Sequence, residues 1–417
     1  MASFVDMTAG AVDHLESMAT AHPDLASDYY TPMADHCRSK LWHQLTVKVM
    51  EVVTDPKLIR TTTPEGSHHS YLALYDKVVT AVASKLNALS VAKIASCVAN
   101  ALYLTDATAA RAVLENLLTS LKQQQTEATS GTPPALIYTQ SKLVLLQLKA
   151  MSSAADTDTL SGLKTTIDGN KPLLEAVDET SPSTAAVHAA HYEAALTYYK
   201  LVGPPEAFYE AGLAFLQYAP PGTPLATIEY HQLAVDLVLA ALTGEGVYNL
   251  GQVEQNPILD VLTGTPEAWL VHVLKACAAG NVTQFQQVSQ QYAVQIAQQP
   301  ALTSRAAAVQ EKMTLLALVW LVFGKPPHER TLDFSEISAA LQVPADQVEW
   351  VLMRAMSVHL LEGCMDQIDE TVTITWILPR VLNPQQMQEL STRFDEWATS
   401  VKVTTEDVQQ QAAPVLE

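Results

Sequence analysis

The feature that most constrains this chain is a rhythm. From the N-terminal region to about Gly324, apolar residues recur at three- and four-residue spacing in segments of roughly 12–20 residues, and Pro/Gly-rich breakers fall between them. Examples are "LWHQLTVKVMEVV" (Leu41–Val53), "SYLALYDKVVTAVASKLNAL" (Ser70–Leu89), "VAKIASCVANALYL" (Val91–Leu104) and "ATAARAVLENLLTSLKQQQ" (Ala107–Gln125). "TAAVHAAHYEAALTYYKLVG" (Thr184–Gly203) then runs into "PPEAFYEAGLAFLQYA" (Pro204–Ala219), which reads as one unit of a helix-pair repeat. The breakers "SGTPP", "TSPST", "PPGTP" and "GKPP" stop helices because proline lacks the N–H and clashes with the preceding turn. Short breakers between helix-period segments predict stacked helical hairpins, an all-α solenoid. Strand-like alternation is nearly absent before residue 360.

Composition agrees with that architecture. The 417 residues are 48% hydrophobic and 16% charged, enough to bury a large core, and only 15 are glycine. The net charge of −20 repels phosphate backbones and anionic membranes and suits protein partners with basic patches. Cys37, Cys97, Cys277 and Cys364 are widely spaced, which points to a reducing compartment. The start "MASFVDMTAG" lacks a basic n-region and a long apolar run. "LLALVWLVF" (Leu315–Phe323) is about half the length of a membrane crossing and reads as a buried helix. The expected location is cytoplasmic and nuclear.

After Pro326-Pro327 the pattern changes. Asp333 is placed to cap a helix, with Glu336 three residues on to close a capping box, and Phe334, Ile337 and Leu341 share one face. "QVP" makes a turn. A second helix, about Ala345–His359, turns Val348, Val351, Leu352 and Ala355 inward. A hairpin follows, its turn at Asp369-Glu370, with Ile368 before it and the alternating run Val372, Ile374, Trp376 after it. Helix, turn, helix, hairpin is the order of a winged helix; the competing reading is two helices and a stray hairpin inside a larger α domain. From His328 onward five basic residues stand against fifteen acidic ones, a net of −10. A nucleic-acid-binding module needs Lys and Arg against phosphates. The charge therefore favours a protein-docking surface over a duplex-binding one.

The last helix begins with Asn383 as cap and Pro384 at its first position. Met387, Leu390, Phe394, Trp397 and Val401 are spaced 3, 4, 3, 4, a heptad seam. The seam either folds back on its own solenoid or joins helices of other chains. Beyond Val403 the sequence reads as a polar, acidic tail.

No catalytic pattern stands out: there is no G-x-S-x-G, P-loop or H-E-x-x-H. "HAAHYE" offers His188, His191 and Glu193, more simply read as helix histidines than as metal ligands. No cofactor, metal or small-molecule substrate is expected; the rival reading is a hydrolase whose site leaves no motif.

A helical array, a winged helix and a C-terminal helix together resemble the PCI-domain family, which scaffolds the proteasome lid, the signalosome and a translation initiation factor. "KLWHQLT" (Lys40–Thr46), "GEGVYNLGQV" with "NPIL" (Gly244–Leu259) and "MRAMSVHLLEGCMDQIDETVTITWILPRVL" (Met353–Leu382) look like the proteasome-lid branch of that family. The resemblance implies a non-catalytic scaffold in ubiquitin-dependent proteolysis. It implies winged helices packed side by side with those of other lid subunits, and C-terminal helices gathered in a bundle. The lid's deubiquitinase carries an H-x-H pair, and no two of the twelve histidines here are two residues apart. The alternatives are a PCI subunit of the signalosome or of the initiation factor, and a nucleic-acid-binding winged helix.

The expected organisation is an N-terminal helical repeat region over 1–220 and the helical part of the PCI domain over 221–325. The winged helix follows over 326–382, then a bundle helix over 383–403 and a flexible tail over 404–417. The subunit-interface candidates are Ile368, Val372, Ile374, Trp376, Met387, Leu390, Phe394, Trp397 and Val401. For Trp376 the competing reading is packing inside the module, to which its alternation with Val372 and Ile374 points.

Overall fold

The computed structural model describes residues 2–21, 26–54, 69–103, 106–127, 133–151, 157–177, 182–219, 227–326, 330–381 and 384–416. They fall into two compact units, Met1–Ala219 and Pro220–Glu417.

The first unit is helical. Helices Ala88–Tyr103 and Ala107–Glu127 pack on each other and on α1 (Pro133–Ala150). In turn, α1 packs on α2 (Pro182–Val202), and α2 on α3 (Pro205–Tyr218). Local sequence sets several of these starts. The Asp106 carboxylate accepts from the N–H groups of Thr108 (3.0 Å) and Ala109 (3.2 Å) and caps the helix that follows. Asn87 does the same for Leu89 at 2.9 Å. That cap corrects the single helix expected over Ser70–Leu89. The segment instead breaks into α, π and 3₁₀ turns ending at Lys85, Leu86 is extended, and a new helix starts at Ala88.

Neighbours flank α1 on several sides, so it buries apolar residues around most of its circumference, Leu136, Ile137, Val144, Leu145 and Leu148 among them. Its buried hydroxyls, Thr139 and Ser141, donate to the carbonyls of Ala135 and Ile137 at 2.8 Å each. Lys142 on α1 pairs with Glu193 on α2 at 2.6 Å. Both side chains are mostly buried, so each leaves the other uncompensated if removed.

The second unit begins with α4 (Thr227–Thr243). A turn with Gly246 at φ 81° follows, and Asn256 caps the short 3₁₀ helix Pro257–Leu262 by accepting from Ile258 N at 3.1 Å. The two sequence islands in this stretch thus mark tight turns that bury Val247, Leu250, Val253 and Ile258. Helix α5 (Ala268–Ala278) comes next. The apolar run forms α6 (Ala306–Phe323), which is long and apolar enough to cross a membrane by length and composition. In the fold, Leu315, Leu316, Leu318, Val319 and Val322 are buried. Within α6 the Lys312 ammonium donates to the carbonyls of Ala241 (2.6 Å) and Gly244 (3.0 Å), at the negative end of α4.

Then come β1 (Thr331–Asp333), α7 (Phe334–Leu341), α8 (Ala345–Ser357), β2 (Leu361–Asp366) and β3 (Thr371–Ile377), a winged helix built on α6. The antiparallel sheet has the order β1-β3-β2. Phe334, Ile337, Leu341, Val348, Val351, Leu352 and Ala355 are buried with the apolar face of α6, as the helical spacing predicts.

Three expectations change here. The first concerns the cap. Asp333 occupies the N-cap position of α7 but its side chain makes no capping hydrogen bond. The Phe334 N–H instead donates to the Glu370 carbonyl at 2.9 Å, and Glu336 pairs with Lys325 at 2.6 Å. The reason is β1, three residues too short to show alternation, which carries the backbone of Asp333 into the sheet.

The second concerns the hairpin. Its strands end at Asp366 and restart at Thr371, so the turn is longer than Asp369-Glu370 and Ile368 lies at its tip, 93% exposed. The Asp366 carboxylate accepts from Ile368 N (2.9 Å) and Asp369 N (3.3 Å) and shapes this turn.

The third concerns phase. Glu362 faces Trp376 and Gly363 faces Ile374, so Thr375 is an extra residue on β3, a bulge. The bulge turns Ile377 toward the core and leaves Trp376 39% exposed, whereas Val372 and Ile374 stay buried. A side chain at Gly363 would overlap the Thr373 carbonyl, which explains glycine there.

At its C-terminal edge the module is clamped. Arg380 donates to the Ala278 carbonyl at 2.8 Å and stacks 4.2 Å from the Trp320 ring, and Trp320 Nε1 donates to the same carbonyl at 2.6 Å. Burial pulls the Arg380 guanidinium down to about 10. Helix α9 then runs from Pro384 to Leu416, about 50 Å at 1.5 Å per residue. The expected stop near Val403 does not occur. Thr404 and Thr405 bond back to the carbonyls of Ser400 (2.9 Å) and Val401 (2.7 Å), so the polar residues continue the helix. The cap expected at Asn383 lies outside the described residues.

Candidate subunit interface

The seam of α9 is laid out as its spacing predicts. Met387, Leu390, Phe394, Trp397 and Val401 form one stripe and are between 41% and 66% exposed. Val408 extends the stripe, with Thr404 between it and Val401, and is 58% exposed. Every side chain from Met387 to Gln409 is exposed, so no face of this part of the helix is covered. Covering these half-exposed side chains would be worth about half of the roughly 1.5–3 kcal/mol that full burial of each brings.

The wing contributes a different set. Val372 and Ile374, both expected at an interface, are buried in the module's own core and present nothing to a partner. Apolar residues of α6, α7 and α8 cover them. Ile368 and Trp376 remain exposed. The structure adds Trp350 and Met353 on α8, 58% and 47% exposed. They belong to an apolar pair at i, i+3 that lies off the buried stripe, a signal present in the sequence but overshadowed by that stripe.

The chemistry-bearing residues of the first unit serve packing. His188 is buried and stacks on Tyr218 at 4.7 Å, and His191 packs edge-on to Tyr192 at 5.4 Å. Glu193 is committed to Lys142. Among the described residues, no three His, Cys, Asp or Glu side chains are grouped to hold a metal ion. Cys37, Cys97, Cys277 and Cys364 are free thiols, and burial pushes Cys277 up to about 12.

Burial first, and the neighbouring His188 second, lower His191 to about 4 from an ordinary 6.5. The unfolded chain therefore binds a proton that the folded chain refuses between those values. Stability is fully present above pH 6.5 and falls as pH drops from 6.5 toward 4, by up to roughly 3 kcal/mol. Urea unfolding at pH 7.5 and 4.5 measures this loss. A His191→Asn chain is expected to show a shallower fall, and an equal fall in both chains would contradict the assignment.

Comparison with known proteins also gives two parts, with the boundary between residues 274 and 289 rather than at 219. Residues 29–274 match the family model "PSD13 N-terminal repeats", and residues 289–376 match "PCI domain". The chain is 31% identical over 394 residues to the 26S proteasome non-ATPase regulatory subunit 13 homolog B of Arabidopsis thaliana, covering 94% of this chain and 96% of the relative. It is 29% identical over 372 residues to the 26S proteasome regulatory subunit RPN9 of Saccharomyces cerevisiae, covering 87% of each. A shorter similarity, 29% over 111 residues and 27% of this chain, links it to eukaryotic translation initiation factor 3 subunit M of Phaeosphaeria nodorum. The shorter match spans a fraction of the chain while the longer ones span nearly all of it. The chain therefore belongs to the family of the 26S proteasome non-ATPase regulatory subunit 13, whose helical repeats are followed by a PCI domain.

Proposed function

We propose that this chain is a non-catalytic scaffold subunit of the 26S proteasome lid, supporting assembly of the regulatory particle for ubiquitin-dependent degradation. The observation that carries the reading is the uncovered seam Met387–Val401 on a helix about 50 Å long, in a chain similar along nearly its whole length to proteasome regulatory subunits. An apolar ridge of this length is covered in an assembly, and the other lid subunits are its partners. The winged helix adds Trp376, Ile368 and the outer face of α8 as further contact surface. Nucleic acid, membrane and small molecules play no part in the reading, and positioning rather than chemistry is the role. The setting is the cytoplasm and the nucleus.

The test is affinity purification of the tagged full-length chain under native conditions, followed by mass spectrometry. Recovery of proteasomal ATPases with lid subunits is the expected result. Recovery of signalosome or initiation-factor subunits without them would overturn the reading.

A further inference from the structure

The outer face of α8 and the wing tip form an apolar surface that the winged-helix core leaves unused. Val348, Val351, Leu352 and Ala355 occupy the core side of α8. At 100° per residue, Asp346, Trp350, Met353 and Ser357 fall within an arc of about 60° on the opposite side. Two of these are large apolar side chains left 58% and 47% exposed. The wing lies along one flank of this arc, because Gln367 Nε2 donates to Glu349 Oε2 at 3.3 Å. The next residue, Ile368, is 93% exposed and is held at the tip by the Asp366 carboxylate.

Carboxylates rim these apolar residues: Asp346 and Glu349 on α8, and Asp366, Asp369 and Glu370 around the wing turn. The one cation on α8, Arg354, is engaged by Glu311 on α6 at 2.7 Å. In a nucleic-acid-binding winged helix this face would meet phosphates. Here it presents Trp, Met and Ile inside a negative rim. Trp and Met are enriched at the centre of protein interfaces, and a rim of one charge sets which partners approach.

We propose that this surface docks a segment of a partner subunit whose apolar stripe is flanked by Lys or Arg. The inference rests on the scaffold reading above and specifies the chemistry of one contact. A neutral apolar partner would gain nothing from the rim, and an acidic or phosphate-bearing one would be repelled by it.

The test uses the full-length chain, labelled and titrated onto lid particles purified from cells that lack it, at about 50 and about 200 mM salt, where screening differs. Trp350→Ala with Met353→Ala is expected to weaken binding about tenfold or more, as loss of central anchors does. Asp346→Lys with Glu349→Lys is expected to weaken it about tenfold at low salt, with a smaller loss at high salt. These side chains are exposed or at the rim, so both variants should melt with the parent chain. If both variants bind as the parent does, this inference fails and the scaffold reading stands. Tighter binding by the Lys variant overturns it in favour of an acidic partner, and binding of duplex DNA or of RNA by the parent chain overturns it as well. If the parent chain does not bind the particle, both readings fail. A photo-reactive benzoylphenylalanine at position 350 gives an answer independent of variant folding. A cross-link to an apolar segment bordered by Lys or Arg supports the proposal, and one to an acidic segment, or to no lid subunit, contradicts it.

Discussion

A chain carrying Leu390→Asp and Phe394→Asp keeps its helix content and its melting temperature but no longer enters the regulatory particle. Both positions are exposed in the chain itself, at 41% and 57%, so no internal packing is lost. Asp is a poorer helix former than either residue by well under about 1 kcal/mol, small against a helix of 33 residues. In an assembly the same two side chains are covered. Only about half of each side chain is left to cover, so losing the two apolar contacts costs about 1.5–3 kcal/mol, which is about tenfold to a hundredfold in affinity. Burying the new carboxylates adds to that loss. Circular dichroism of the purified chain checks the first half of the expectation. Sedimentation of lysate with detection of the variant checks the second. Continued co-migration with the full particle would show that α9 is not held through this seam.

Gly280→Ala is expected to be a strongly damaging single-methyl change in the second unit. Gly280 follows α5 with φ +67°, a left-handed conformation that costs an L-residue about 1–2 kcal/mol. An added Cβ would also overlap the Trp320 indole. The ring cannot swing aside freely, because its Nε1 is bonded to the Ala278 carbonyl and Arg380 stacks on its face. Overpacking at such a site adds about 1–3 kcal/mol. For a unit of this size the sum lowers the melting temperature by roughly 5–20 °C. Gly264→Ala separates the two causes. Gly264 has φ +82° but nothing within 4 Å of an added Cβ, so it carries the conformational cost alone. Calorimetry of both variants is the measurement, and equal shifts would mean that the Trp320 contact yields without cost.

Much of the winged helix was legible because its information is local. The 3–4 spacing of Phe334, Ile337 and Leu341, and of Val348, Val351, Leu352 and Ala355, requires a buried face wherever the two helices sit. The heptad seam of α9 was readable for the same reason. β1 was not, since three residues contain no period and become a strand only when β3 arrives to pair with them. The cap at Asp333 failed alongside it. Glu336, which a capping box turns back to the N-cap N–H, is drawn instead to Lys325 at 2.6 Å.

The candidate interface divides along the same line. Alternation places Val372, Ile374 and Trp376 on one face, and that holds for two of them until a bulge at Thr375 reverses the phase. Whether a strand carries an extra residue depends on how its partner pairs, a choice that the glycine at 363 permits but does not announce. Trp350 and Met353 are apolar letters in a helix that has more apolar positions than its core can take. Only packing reveals which are left over.

By itself, the sequence determined the class of the chain: helical hairpins, then a winged module, then an apolar-striped rod, under a net negative charge. Helix periods, proline stops and net charge are properties of neighbouring residues and of sums, and need no coordinates. Tertiary structure alone decided which apolar side chains are spent internally and which remain to be shared. That division is set by how much surface the core can remove from water, and contacts between segments distant in the sequence fix that amount.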